Sequence, residues 1–411
     1  MFCYNDMRGN NMQVRVEKLD HFGRGIAWIE DKICFIPDAL PGEMVDISIV
    51  STKKKYLIGK VISYIEKSDF RELPKCQYYG ICGGCNLMNM KYSLENQFKY
   101  QKVCELLEKF TNKSRELVKK CESNQRFYYR NKILLHCDNK KIGLYMNDTN
   151  QLVSIDHCIL VNERINQLIS FLSRWSVNKN TSEIMIRVGN VTGDILLVIN
   201  GNVDNYHELL DLVDVLIIND EVVSDQKRIF SIIGDKKYVV SAKSFFQVNS
   251  YLTEKLYDEV YSIVKKNKSK KVLDLYCGTG TIGIYISDLV EQVLGIEVID
   301  DAIVDANSNK EINCCKNISF MSGKVEDIIY DIDKDYDTVI VDPPRSGLNR
   351  TVISNILKIL PNVLIYVSCD PVTLMRDINL FSDQYDLEYI KPFNMFPNTY
   401  HVECVCVLKL K

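Results

Sequence analysis

No run of apolar residues in this sequence approaches the length of a membrane span, and the first ten residues, Met1 to Asn10, are polar where a secretory signal would carry an apolar core. The expectation is a cytoplasmic protein with no membrane partner. Charge of one sign is lacking as well. A net charge of −3 excludes the broad electrostatic footprint of a histone-like binder, so a nucleic-acid partner must be held by local basic patches and by shape. A reducing compartment argues against disulfides, which makes clustered members of the fifteen cysteines candidates for metal ligation or catalysis. With 411 residues, 46% of them hydrophobic, the chain can form two or three domains, each with its own core, and a monomer is expected.

What is present is organised around Leu364 to Pro371, reading Leu-Ile-Tyr-Val-Ser-Cys-Asp-Pro. Its apolar and β-branched residues read as a buried strand that the Cys-Asp-Pro breaks, placing the Cys369 thiol at the strand's carboxyl end. In open α/β sheets that edge is where ligands bind. An isolated cysteine there would be read as a buried thiol closing a strand. Its neighbours in sequence argue for a nucleophile.

The first neighbour is Lys271 to Gly283, a strand running into a glycine turn and then a helix, with Gly278 and Gly280 letting backbone approach a ligand. Glu297 ends the next strand, placed to grip a ribose. A dinucleotide enzyme would show the same signs. Asp274, inside the glycine motif, would repel a pyrophosphate but suits the aminopropyl-sulfonium of S-adenosylmethionine. Downstream, Asp337 to Arg345 is a strand ending in Asp342-Pro-Pro-Arg, the rigid acid-proline turn with which methyltransferases floor the substrate pocket. Amino-group methyltransferases close that turn with an aromatic residue; here Arg345 follows. Carbon methylation of a pyrimidine needs a thiol, because adding sulfur at carbon 6 makes carbon 5 nucleophilic, and a base must afterwards remove the carbon-5 proton. His401 and Glu403, alternating at the start of a terminal strand, project to one face and either can serve as that base. Ahead of this region Ser244 to Asn249 reads as a strand-like segment that presents Gln247 before a helix over 251–266.

The N-terminal half reads differently. From Met12 to about Phe70, short alternating segments separated by Gly and Pro read as a small closed β-barrel, a shape that binds single-stranded nucleic acid on one face. Lys53, Lys54 and Lys55 read as a solvated hairpin tip or a phosphate contact. The order Gly-Arg-Gly-Ile-Ala, Phe-Ile-Pro, Leu-Pro-Gly-Glu resembles the TRAM domain, a barrel appended to RNA-modifying enzymes. Cys76, Cys82 and Cys85 then fall within ten residues among glycines, a pattern for metal ligation. No second close pair follows to make a zinc ribbon, and the spacing is not that of radical S-adenosylmethionine enzymes. An iron–sulfur cluster needs only a fourth thiolate from elsewhere in the fold. Cys158 is the best placed, with Cys104, Cys121 and Cys137 as alternatives and a mixed zinc site through His157 left open. An amphipathic helix is predicted over 93–120, packing on the catalytic half as a brace or belonging to the middle domain. Arg126 to Lys132 interleaves cations with aromatics, suited to stacking on bases or to an ordinary strand start.

Together the order of Cys76, Cys82, Cys85 and Cys158, then Phe-Phe-Gln247-Val-Asn, Asp-Leu-Tyr276-Cys-Gly-Thr-Gly, Asp342-Pro-Pro-Arg, Ser-Cys369-Asp-Pro and His-Val-Glu403 resembles the RNA uracil-5-methyltransferase family across essentially the whole chain. The resemblance implies Cys369 as nucleophile and Glu403 as the base. It implies Gln247, Tyr276, Glu297 and Asp342 as cofactor and base-pocket residues, S-adenosylmethionine as methyl donor, and a 4Fe-4S cluster on Cys76, Cys82, Cys85 and Cys158. Thr281 stands where members often carry Asn. Having both barrel and cluster cysteines, the chain is similar to the branch acting on 23S ribosomal RNA, with tRNA the alternative substrate. The expected architecture is α/β: a TRAM-like barrel over 1–70, a central α+β domain with the iron–sulfur site and RNA contacts over 71–240, and a Rossmann-like methyltransferase domain over 241–411. A cytosine-5 methyltransferase also uses a thiol at carbon 6 but usually carries Thr-Cys and Pro-Cys motifs, where this chain has Ser-Cys369-Asp-Pro and Pro344-Arg345. A non-catalytic RNA-binding iron–sulfur module would have no reason to keep Cys369, Glu403 and Asp342.

Overall fold

Strand Val363–Ser368 is buried at every position, which is why its sequence is an unbroken apolar run rather than an alternating one. It lies inside a seven-stranded sheet in a computed structural model that describes residues 11–147, 149–175, 178 and 180–411. The polar stretch Met1 to Asn10 lies outside the described residues. Strands Ile318–Ser322, Gln292–Glu297, Lys271–Leu275, Thr338–Val341 and Val363–Ser368 run parallel in that spatial order, and Glu403–Leu410 and Tyr385–Phe393 complete the sheet antiparallel. Chain order reverses between Lys271–Leu275 and Thr338–Val341, the switch point at which open α/β sheets form a crevice. Helices cover both faces, so apolar cores lie on either side.

The N-terminal strands, Asn11–Arg15 through Tyr56–Glu66, form a separate six-stranded sheet. Its two outermost strands, Asn11–Arg15 and Lys18–Leu19, are consecutive in the chain, so the sheet curls round a core of Val14, Val16, Ala27, Ile36, Val45, Ile47 and Leu57. Between the two in chain order comes a third sheet of seven strands, Lys132–Asp138 to Glu221–Val222, whose core is closed by helix Glu163–Leu172. The lysine run at 53–55 is exposed at the turn between Met44–Thr52 and Tyr56–Glu66.

Two expected elements differ. The amphipathic helix spans Tyr92–Thr111 rather than reaching residue 120, because Asn112 takes a left-handed conformation and ends it. That helix packs on the catalytic sheet's helix Pro371–Phe381 and strand Tyr385–Phe393. Residues 244–249 form no strand; Asn249 instead caps helix Ser250–Asn267, its side chain accepting from the Leu252 N–H. Among the described residues no helix is long and apolar enough to cross a membrane.

Candidate active site

The glycine turn after Lys271–Leu275 requires left-handed backbone: Tyr276, Gly278 and Gly280 have φ of 63°, 54° and 72°. At Gly278 a side chain would meet nothing within 4 Å, so the turn presents open backbone; at Gly280 it would run into the Phe320 ring. Asp274 is wholly buried beneath this turn. One of its oxygens accepts the Gly283 N–H at 3.2 Å and the other, Oδ1, has no partner. A cleft here is lined by Phe245, Gln247, Tyr257, Asp274, Tyr276 and Asp342 among others. Burial, with Asp342 nearby, pushes Asp274 up to about 8, and burial pushes Asp342 up to about 7. An orphaned carboxylate oxygen among acids that resist ionisation fits a cationic ligand such as the sulfonium cofactor. Of the expected cofactor residues, Gln247, Tyr276 and Asp342 line the cleft. Glu297 sits one layer back, accepting the Gly278 N–H at 3.1 Å and those of Val298 and Ile299 at 2.8 and 2.9 Å, so it shapes the turn. Tyr257 was not singled out from the sequence. Its hydroxyl pairs with Thr281 Oγ1 at 2.7 Å, and no motif marks a tyrosine in mid-helix.

Next to the cleft, Asp342 follows Thr338–Val341 and Cys369 follows Val363–Ser368. Asp370 caps helix Pro371–Phe381, accepting from Val372 and Thr373, and Pro371 opens the helix where its missing N–H costs nothing. Ser-Cys-Asp-Pro is therefore a strand end joined directly to a capped helix, with the thiol between them. Ser368 pairs with Cys404 in the antiparallel ladder, which brings the next residues outward, Cys369 and Glu403, to the same end of neighbouring strands. Burial raises the Cys369 thiol to about 12, with Glu403 and Asp342 raising it and Arg345 opposing. Burial, and then Asp342, also push Glu403 well above the ordinary carboxylate range. The strand begins at Glu403, so His401 lies in the irregular segment before it and the alternation expected of the two does not hold. The His401 ring stands 3.5 Å from Arg345, and burial with the surrounding cations lowers it to about 4.

Cys76, Cys82, Cys85 and Cys158 line one cavity of about 420 Å³ with Tyr78, Tyr79 and Arg130. Burial raises Cys85 and Cys158, neighbouring thiols raise them further, and Arg130 opposes. The alternative thiols lie elsewhere: Cys104 is buried under the catalytic sheet, Cys137 packs on the core of the middle sheet and Cys121 is buried outside the cavity, whereas His157 lines the same cavity as the four cysteines. Among the described residues no three His, Cys, Asp or Glu side chains are grouped to hold a metal ion, so the expected metal centre is not shown. The Arg126–Lys132 stretch is largely committed internally: Tyr129 is buried with its hydroxyl on the Pro397 carbonyl, and Arg126 pairs with Glu72 and Asn398.

A parallel sheet with a glycine turn and an acid cleft at its switch point defines a Rossmann-like, S-adenosylmethionine-dependent methyltransferase. A family model for tRNA (uracil-5-)-methyltransferases matches residues 215–411, and one for the TRAM domain matches residues 6–62. RNA methyltransferases of Clostridium acetobutylicum and Halalkalibacterium halodurans are 33% and 30% identical, over 98% and 97% of this chain and 97% of each relative. The crystal structure of Pyrococcus abyssi tRNA (uracil-54, C5)-methyltransferase with S-adenosyl-L-homocysteine aligns at a TM-score of 0.76 and 26% identity, covering 97% of this chain and all of that one. The chain belongs to the RNA uracil-5-methyltransferase family.

Proposed function

We propose that this protein methylates carbon 5 of a uridine in 23S ribosomal RNA, with Cys369 as nucleophile and Glu403 as base. The observation that carries the reading is the strand register that sets Cys369 beside Glu403, with Asp342 on the adjoining strand end. Gln247, Tyr276, Asp342 and Asp274, with Glu297 shaping the turn, would hold S-adenosylmethionine, which would supply an electrophilic methyl group while its sulfur keeps the bond pair. Cys369 bonds to carbon 6 as its proton passes to water, and the electron pair pushed onto carbon 5 forms the new bond to the methyl group. Glu403 then takes the proton from the methylated carbon 5, the sulfur–carbon bond breaks, and its electron pair returns to sulfur. His401, held neutral and weakly basic among cations, is the poorer base.

The four thiols around one cavity beside an arginine suit a 4Fe-4S cluster. A cluster spreads its cysteine sulfurs further apart than a single ion with metal–sulfur bonds of about 2.3 Å, so its ligands need not converge as those of zinc do. Iron and acid-labile sulfide assays on protein isolated without oxygen test this; absence of both sinks it.

The Pyrococcus protein, similar along the whole chain, acts on tRNA, which keeps tRNA as the second reading. Nucleoside mass spectrometry after incubating unmodified 23S and tRNA transcripts with the protein and S-adenosylmethionine separates them. New 5-methyluridine in the 23S transcript alone is expected; in tRNA alone it moves the substrate, and 5-methylcytidine overturns the base. RNA carrying 5-fluorouridine should trap the protein covalently, and a Cys369→Ala protein that traps equally well removes the nucleophile assignment.

A further inference from the structure

Residues 394–402, between the last two strands of the catalytic sheet, have neither helix nor strand, yet Asn394, Met395, Asn398 and Val402 are fully buried. Buried irregular backbone has to find its hydrogen bonds in other segments. Here the N-terminal half of the chain provides them, and Asn398 is where they meet. It sits at φ 66°, a left-handed conformation that asparagine tolerates better than most side chains. Its carbonyl accepts the N–H of Asn86 at 2.9 Å and of Leu87 at 3.1 Å. Its own N–H donates to Glu95 Oε1 at 2.9 Å. Its side chain accepts from Arg126 Nε at 3.0 Å and donates to the Arg126 carbonyl at 3.1 Å.

Asn86 and Leu87 directly follow Cys85, and Tyr79, which lines the thiol cavity, donates its hydroxyl to the Asn86 carbonyl at 3.0 Å. On the other side Glu403 lies five residues beyond Asn398. A continuous path of bonded groups therefore runs from Cys85 through Asn86, Leu87 and Asn398 to the loop that delivers Glu403. Cys369 is not on that path, since strand Val363–Ser368 and the Asp370 cap hold it. The two strands share a ladder at Ser368 and Cys404, but only Glu403 directly continues the 394–402 loop.

We propose that Asn398 is a positioning residue through which the occupied thiol centre holds Glu403, so that emptying the centre slows removal of the carbon-5 proton more than formation of the Cys369 adduct. The inference rests on the methyltransferase and iron–sulfur readings above. Hydrogen–deuterium exchange of peptides from 394–403 is to be compared in the iron-loaded protein and after stripping with ferricyanide and EDTA. Stripping is expected to raise exchange there several-fold while peptides from Val363–Ser368 stay unchanged. Asn398→Gly, which accepts the left-handed backbone but loses the Arg126 bonds, should exchange fast while still loaded and respond little to stripping. Asn398→Asp keeps the acceptor for Arg126 Nε but loses the donor to the Arg126 carbonyl, and its loaded protein is expected to exchange faster than the unaltered one. With normal RNA, Asn398→Gly should accumulate covalent adduct several-fold above the unaltered protein, while trapping by 5-fluorouridine RNA is retained. Equal exchange before and after stripping of a protein shown to hold iron and sulfide overturns the inference and leaves both readings standing. Absence of iron and sulfide overturns it together with the thiol-centre reading, and absence of trapping by the unaltered protein overturns it together with the methyltransferase reading.

Discussion

Glu403 and Cys369 face each other in a pocket that penalises charge, and this sets how each must behave. Because the Glu403 carboxyl is raised by burial and by Asp342, a Glu403 carboxylate, which the proposed mechanism needs as proton acceptor, forms only above the ordinary glutamate range. The acid limb of the kcat profile is therefore expected well above pH 4.5, and a limb at the ordinary carboxylate position would point to another base. Glu403→Gln should lower turnover about 10²–10⁴-fold and leave adduct on normal RNA; rapid turnover in that variant hands the role to His401 or water. The same acids bear on stability. Asp274 and Asp342 titrate near 8 and 7 in the folded chain against about 3.9 unfolded, so across that window the native state holds protons the unfolded state has shed. Their contribution to stability is greatest below the unfolded value and falls as pH rises through the folded ones. Without cofactor the protein should melt lower at about pH 8 than at about pH 5.5, and Asp274→Asn should reduce that difference. The residues of this pocket were legible in the sequence as separate motifs. Their pairing was not, because Ser368 opposite Cys404 is a register fact joining segments more than thirty residues apart.

At the scale of elements, the Ser-Cys-Asp-Pro turn has two functions: it ends a strand and starts a helix. Removing the cap with Asp370→Ala frees the N–H groups of Val372 and Thr373, at a cost of about 0.5–2 kcal/mol. A lower melting temperature and slower fluorouridine trapping are expected, with Asp370→Asn recovering both; unchanged trapping would mean that the thiol is positioned by the strand alone. The parallel strands were readable because burial on both faces leaves nearly continuous apolar runs. Helix Tyr92–Thr111 was readable in existence but not in extent, since the residue that stops it, Asn112, is an asparagine in a charged surface stretch with no glycine or proline to announce it. The cation–aromatic stretch at 126–132 left stacking on bases and an ordinary strand start equally open from composition, and the side chains of Arg126 and Tyr129 are used inside the protein. Composition does not say which face a residue turns to.

For the whole molecule, the joint between the N-terminal half and the catalytic sheet is built from polar groups with little exposure. Lys99 and Glu95 are both completely buried on helix Tyr92–Thr111 and lie 3.2 Å apart. The Lys99 ammonium also donates to Asn394 Oδ1 at 2.5 Å and to the Phe396 carbonyl at 3.0 Å, while Glu95 accepts from Asn394 and Asn398. Burial lowers the lysine and Glu95 opposes that, so the pair favours the charged ammonium. At the outer edge of the joint, barrel residue Phe22 meets Tyr400 edge-on at 5.3 Å, and Lys102 donates to the Tyr400 carbonyl at 3.0 Å. The loop carrying His401 is thus held both by helix Tyr92–Thr111 and by the barrel. Lys99→Met removes the nearer cation and leaves the buried Glu95 carboxylate with Arg126 Nε at 3.9 Å as its remaining charge partner, for which a loss approaching about 3–5 kcal/mol is expected. Since the pair ties two regions together, the loss should appear as a splitting or broadening of the denaturation profile as well as a lower midpoint. Lys99→Met combined with Glu95→Gln takes away the poorly compensated charge and should recover part of the stability, because much of the cost lies in the buried ion rather than in the lost attraction. A double variant no more stable than the single one would mean that the joint depends on the lysine's bonds to Asn394 and Phe396 rather than on charge neutralisation.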